Sequence, residues 1–84
     1  MTVSGRVQGV FYRATCARLA RERELAGAVR NLPDGRVEAV FEGPDEPVRE
    51  MIDWCRRGTD LARVDGMEVS DEEPIGQTGF VVSG

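Results

Sequence analysis

Histidine and lysine are absent from this chain of 84 residues, and cysteine occurs only twice. With no imidazole, and with Cys16 and Cys55 in no metal-ligand spacing, a zinc site is not expected. Two cysteines are also too few for a disulfide framework. Each falls on the apolar stripe of a predicted helix, Cys16 with Leu19 and Ala20, Cys55 with Val48, Met51 and Ile52. Free cysteine behaves as a small buried hydrophobe, so both are expected in the core, with a redox pair as the rival reading. No apolar run approaches the roughly 20 residues of a membrane span, and Met1 to Gly9 lacks the charged-then-apolar layout of a secretory signal. The expected location is cytoplasmic, with no membrane partner. A chain this short makes one core and leaves no room for a second catalytic domain, so residues 1–84 read as a single domain.

What is present is an ordinary soluble composition, 40% hydrophobic and 31% charged, too apolar for a disordered segment. The net charge of -4 opposes general nucleic-acid affinity. Its distribution is uneven. Residues 1–36 carry seven arginines against three acids, a local net of +4, whereas residues 37–84 carry four against twelve, a net of -8. The first half is where an anion would be received, although solvated surface is the bland reading of any one of these charges.

The order of elements narrows the fold. Thr2 to Val7 reads as a short strand ended by the Gln8-Gly9 turn, and Phe11 to Ala26 as a helix stopped by Gly27. Ala28 to Asn31 and Arg36 to Phe41 read as a hairpin around Leu32-Pro33-Asp34-Gly35, where Pro pre-sets φ and Asp-Gly supplies the turn. After Gly43-Pro44, Asp45 is placed to N-cap a second helix running to Gly58. Val64 to Ser70 alternates as a strand, Asp71 to Gln77 forms an acidic loop, and Gly79 to Ser83 is a last short strand. The compact solution to β-α-β-β-α-β is an α+β ferredoxin-like sandwich: an antiparallel sheet with two helices on one face, here with room for a short fifth strand. The first and third strands are expected at the centre, which sets the Gly5–Arg13 loop beside the end of the second strand and lets Arg13 and Asn31 face a common cavity.

That loop has the makings of an anion nest. A glycine supplies an unusual φ, successive N–H groups of Gln8, Gly9, Val10, Phe11 and Tyr12 lack intrahelical partners, and the helix dipole favours a phosphate over the helix start. Arg13 adds a planar fork able to bind two phosphate oxygens. Taken alone, these residues read first as a plain strand-to-helix turn, with the anion nest as the rival. Asn31 likewise reads as a strand-ending residue that bonds its own backbone.

The run Val3 to Arg13 resembles the first signature of the acylphosphatase family, and Gly27 to Asn31 with Gly35, Val37 and Gly43 resembles its second. The similarity spans nearly the whole chain and implies the ferredoxin-like fold reached from the element order. It also implies an enzyme that hydrolyses a small-molecule acyl phosphate to a carboxylate and inorganic phosphate without metal, cofactor or covalent intermediate; a monomer is the default expectation, since the sequence carries no sign of oligomeric state. The amides of Gln8, Gly9, Val10, Phe11 and Tyr12 and the guanidinium of Arg13 would hold the phosphoryl group, and Asn31 the attacking water. Ala28 stands where the family usually has a large aromatic, so looser packing near Asn31 is expected. Tyr12 stands where Phe is more usual, so its hydroxyl needs a partner. Only four residues precede Gly5, which leaves the first strand few ladder bonds and makes either a marginal domain or a start internal to a longer protein the expectation. The alternatives are a non-catalytic anion-binding or docking module of the same fold, or a fragment of a larger carbamoyl-transfer maturation protein. RNA binding would need exposed aromatics on the central strands, which offer only Phe41.

Overall fold

The computed structural model describes residues 1–71, 76 and 78–83. Five strands and two helices follow in the order β1 (Thr2–Arg6), α1 (Tyr12–Glu22), β2 (Ala26–Asn31), β3 (Val37–Glu42), α2 (Asp45–Arg57), β4 (Arg63–Glu68) and β5 (Phe80–Ser83). The strands make one sheet in the order β4-β1-β3-β2-β5. β1 pairs antiparallel with both β3 and β4, and β2 pairs antiparallel with β3. These four strands are the expected ferredoxin-like sheet, with β1 and β3 inside it.

The fifth strand corrects the all-antiparallel expectation, because β5 runs parallel to β2 and makes the sheet mixed. β4 takes the edge beside β1 and runs against both β1 and β2. β5 holds the opposite edge, beside β2 and running with it.

Alternation along the strands explains which face is covered. Val3, Val29, Val37 and Ala39 are fully buried, while their neighbours in sequence are partly or fully exposed. Against them α1 lays Tyr12, Cys16, Ala17 and Ala20, and α2 lays Met51 and Cys55, with Val48 and Trp54 partly buried beside them. Both cysteines are free and buried, as the core reading expects. A hydrogen bond to Cys55, together with burial, pushes the Cys16 thiol up from its ordinary pKa. Phe41 and Phe80 stack with ring centroids 5.6 Å apart on the covered face, which removes Phe41 as an exposed platform for RNA bases.

Several boundaries differ from the expectation for local reasons. α1 ends at Glu22, not Ala26, because Glu24 turns left-handed at φ 56 and two hydrogen bonds close the helix, Leu25 N–H to Ala20 O at 3.0 Å and Glu24 N–H to Arg21 O at 3.1 Å. Gly27 is therefore not the helix stop. It lies inside β2, where a Cβ would collide with the Val40 carbonyl of β3. Asp45 is not the N-cap of α2 either: Pro44 occupies that position, and Asp45 and Glu46 are first-turn acids that favour the positive end of the helix dipole. β4 spans Arg63–Glu68 where Val64 to Ser70 was expected. The acidic stretch after Asp71 lies mostly outside the described residues. Among the described residues, no helix is long and apolar enough to cross a membrane.

Candidate active site

β1 and β2 each run antiparallel to β3, so their C-terminal ends open at the same end of the sheet. The chain leaving β1 and the Asn31 end of β2 therefore meet there. Between Arg6 and α1 the loop is pinned from below and from both sides. Val7 and Val10 are buried in the core, at 1% and 3% exposure. On one flank the Gln8 side chain donates from Nε2 to the carbonyls of Leu32, at 2.9 Å, and Arg36, at 3.0 Å. On the other, Thr59 Oγ1 donates to the Val10 carbonyl at 2.7 Å. In a trans peptide C=O and N–H point opposite ways, so fixing the Val10 carbonyl toward Thr59 aims the Phe11 N–H away from it.

Gly9, at φ 72, and Phe11, at φ 61, are both left-handed, and this alternation turns successive N–H groups toward a common concavity. Among the described residues, no protein acceptor takes the N–H groups of Gln8, Gly9, Val10, Phe11, Tyr12 or Arg13. Phe11 is the N-cap of α1 without a side-chain cap bond, and the first turn contains no acid. The positive end of the α1 dipole is thus uncapped. Arg13 stands in that turn, half-buried, and donates from Nη1 to the Ser83 carbonyl of β5 at 2.7 Å. Arg21, two turns further on, donates to the Phe80 carbonyl at 2.8 Å, so two arginines of α1 clamp β5 against the helix. One bond leaves Arg13 the rest of its five N–H donors.

A cavity of about 260 Å³ is lined by Val7, Gly9, Phe11, Tyr12, Arg13 and Ala14. A second, of about 220 Å³, lies at the opposite end of the sheet; the ionisable side chains around it are acidic, Glu42, Asp45 and Asp71, and the one cation of its lining, the Met1 ammonium, is bonded to the Ala39 carbonyl.

The expected site residues fall into three groups. Gly9, Phe11, Tyr12 and Arg13 line the first cavity, with Gln8 and Val10 in the same loop. Two side chains in this stretch are structural: Gln8 staples the loop to the β2–β3 hairpin, and Tyr12 is buried with its hydroxyl on the Cys55 carbonyl at 2.7 Å and its ring 5.1 Å from Trp54. The partner required by the Tyr12 hydroxyl is thereby supplied, and burial holds its pKa well above the ordinary tyrosine value. Asn31 is not in the lining of the Arg13 cavity. It ends β2 opposite Val37, one residue before the Leu32 carbonyl that holds Gln8, and its Oδ1 is buried with no partner among the described residues.

Ala28, expected to bear on the packing at Asn31, does not share its face of the strand. Val29 and Asn31 share one face of β2, and strand alternation puts Ala28 on the other. Thr59 and Ser83 were not legible as part of this end of the molecule. Ser83 contributes a main-chain carbonyl, which any residue could offer, and Thr59 is a single hydroxyl after α2, so neither carries a signal in the sequence.

Known proteins resemble this chain in sequence and in fold. A family model described as Acylphosphatase matches residues 1–82. The acylphosphatase of Natronomonas pharaonis is 55% identical over 80 residues, which cover 95% of this chain and 87% of that protein. The crystal structure of acylphosphatase from Bacillus subtilis superposes with a TM-score of 0.92 at 34% identity, covering 98% of this chain and 92% of that one. T. kodakarensis HypF contains a similar segment, with a TM-score of 0.82 and 34% identity, which covers 99% of this chain and 12% of that much longer one. By sequence and by fold, the chain belongs to the acylphosphatase family.

Proposed function

We propose that this chain hydrolyses acyl phosphates to a carboxylate and inorganic phosphate at the loop between β1 and α1. The observation that carries the reading is the row of unpaired N–H groups from Gln8 to Arg13 at an uncapped helix start, with the Arg13 guanidinium in the same cavity. These donors hold the phosphoryl oxygens and stabilise the charge that builds on them. The leaving group is a carboxylate whose acid has a pKa of about 4 to 4.5, so it departs without a general acid, which suits a chain with no histidine. Asn31 orients the attacking water through its unpaired Oδ1, a buried acceptor that gains a donor when water binds. The water proton passes to a phosphoryl oxygen of the substrate, since the ionisable side chains of the two motifs, Arg6, Arg13, Arg30 and the deeply buried Tyr12, offer no proton acceptor at neutral pH.

The test is hydrolysis of benzoyl phosphate in chelator-treated buffer. Arg13→Ala and Asn31→Ala are each expected to lower kcat/KM by about 10²–10³-fold or more, the cost of removing a preorganised transition-state donor or its equivalent. Undiminished turnover in both variants overturns the mechanism. A similar segment occurs inside the much longer T. kodakarensis HypF chain, so the fold also serves as one part of a larger protein, and a second reading is an anion-binding or docking module of the same fold. Protection by phosphate against thermal unfolding with no turnover of any acyl phosphate would favour it.

A further inference from the structure

Phe11 combines a left-handed backbone with a ring that stands largely in solvent. Its backbone is left-handed, at φ 61 and ψ 19, a conformation that glycine or asparagine adopts with less strain. Its ring is 72% exposed, and the ring pairs among the described residues, Tyr12 with Trp54 and Phe41 with Phe80, do not include it. Yet Phe11 lines the same cavity as Gly9 and Arg13. The other large apolar residues of that loop are turned inward: Val7, Val10 and Tyr12 are 1%, 3% and 1% exposed.

We propose that the Phe11 ring is the contact for the acyl group, so that the site selects acyl phosphates with an aromatic or bulky apolar acyl portion over those of acetyl size. The inference rests on the acyl phosphate reading above. In such a substrate one bridging oxygen joins the phosphoryl group to the carbonyl carbon. Once the phosphoryl end is seated against the amides and Arg13, the acyl group emerges beside the loop on its solvent side, where the Phe11 ring is the large apolar side chain that both lines the cavity and stands exposed. A ring face covers an apolar group and offers nothing to a phosphoryl oxygen, so the two ends of the substrate are sorted by chemistry.

Shielding roughly 55 Å² of apolar surface corresponds to about a tenfold preference. The experiment measures kcat/KM for benzoyl phosphate and acetyl phosphate in the wild type, Phe11→Asn and Phe11→Leu. The benzoyl-to-acetyl ratio is expected to fall about tenfold in Phe11→Asn, mainly through KM, and to be largely retained in Phe11→Leu. A variant that only loosens the loop lowers both substrates together; an unchanged ratio in Phe11→Asn overturns the inference while leaving the acyl phosphate reading intact. A wild type that turns over neither substrate overturns both.

Discussion

Replacing Gln8 by glutamate keeps the shape of the side chain and removes both donors that tie the phosphate loop to the hairpin. In the structure Nε2 reaches the carbonyls of Leu32 and Arg36 at 2.9 and 3.0 Å. Both acceptors keep another donor, Leu32 O from the Gly35 N–H at 3.1 Å and Arg36 O from the Leu32 N–H at 2.8 Å. Gln8→Ala therefore strands no carbonyl and costs the net value of two hydrogen bonds, about 1–2 kcal/mol. Gln8→Glu loses the same bonds and in addition sets a carboxylate oxygen against two carbonyl oxygens, so it is expected to cost about 3 kcal/mol. Urea unfolding followed through Trp54, the one tryptophan, reads both variants. With a slope of about 1 kcal/mol per molar urea, the Ala variant's midpoint falls by about 1–2 M and the Glu variant's by more. Below about pH 4 the new carboxyl is protonated and regains one donor, which brings the Glu variant back toward the Ala variant. A Glu variant as stable as the wild type at neutral pH, or more stable than the Ala variant, would refute the view that Gln8 acts through hydrogen bonds.

The remaining predictions concern the rest of the loop and the core beneath it. Thr59→Val removes the only donor to the Val10 carbonyl among the described residues, so it is expected to destabilise by about 1 kcal/mol and to raise KM as the Phe11 amide loses its fixed direction. The buried Tyr12 hydroxyl has a pKa raised above its unfolded value. The folded state thus keeps a proton that the unfolded chain releases, and the stability present below pH 10 is lost as pH rises beyond it, by about 1.4 kcal/mol per pH unit. Absorbance at 295 nm, which reports the single tyrosine, is expected to show tyrosinate only on unfolding, and Tyr12→Phe is expected to flatten that alkaline slope. Because Cys16 and Cys55 are fully buried, a thiol reagent is expected to react at the rate of opening, with acceleration by denaturant; fast labelling of the native protein would contradict the packing of α1 on α2.

Much of the fold was legible because it depends on patterns with a fixed period. Alternation at Val29, Val37 and Ala39 and helical spacing at Cys16, Ala20, Met51 and Cys55 mark the face of each element that must be covered, and two βαβ crossovers of one hand put both helices over one face. The errors came where local propensity was outvoted. Gly27 looked like a helix stop, yet the close approach of β3 at Val40 requires a glycine inside the strand, and Glu24 took the left-handed position instead. Asp45 looked like a cap, but the chain enters α2 through Pro44. Ala28 stands where relatives usually carry a large aromatic, and the two-residue period of a strand sets that position on the opposite face from Asn31.

The sequence by itself determined the family, the run of residues able to present N–H groups, and the pairing of an arginine motif with an asparagine motif, since each is a matter of residue type at fixed spacing. Only the tertiary structure decided how that loop is held. The Gln8 staple spans 24 and 28 residues, the Thr59 bond 49, and the Arg13 contact with Ser83 reaches 70. Each of these bonds has a main-chain carbonyl as acceptor, a group that every residue carries. No residue type announces it, and it becomes specific only when the sheet brings distant segments to one end.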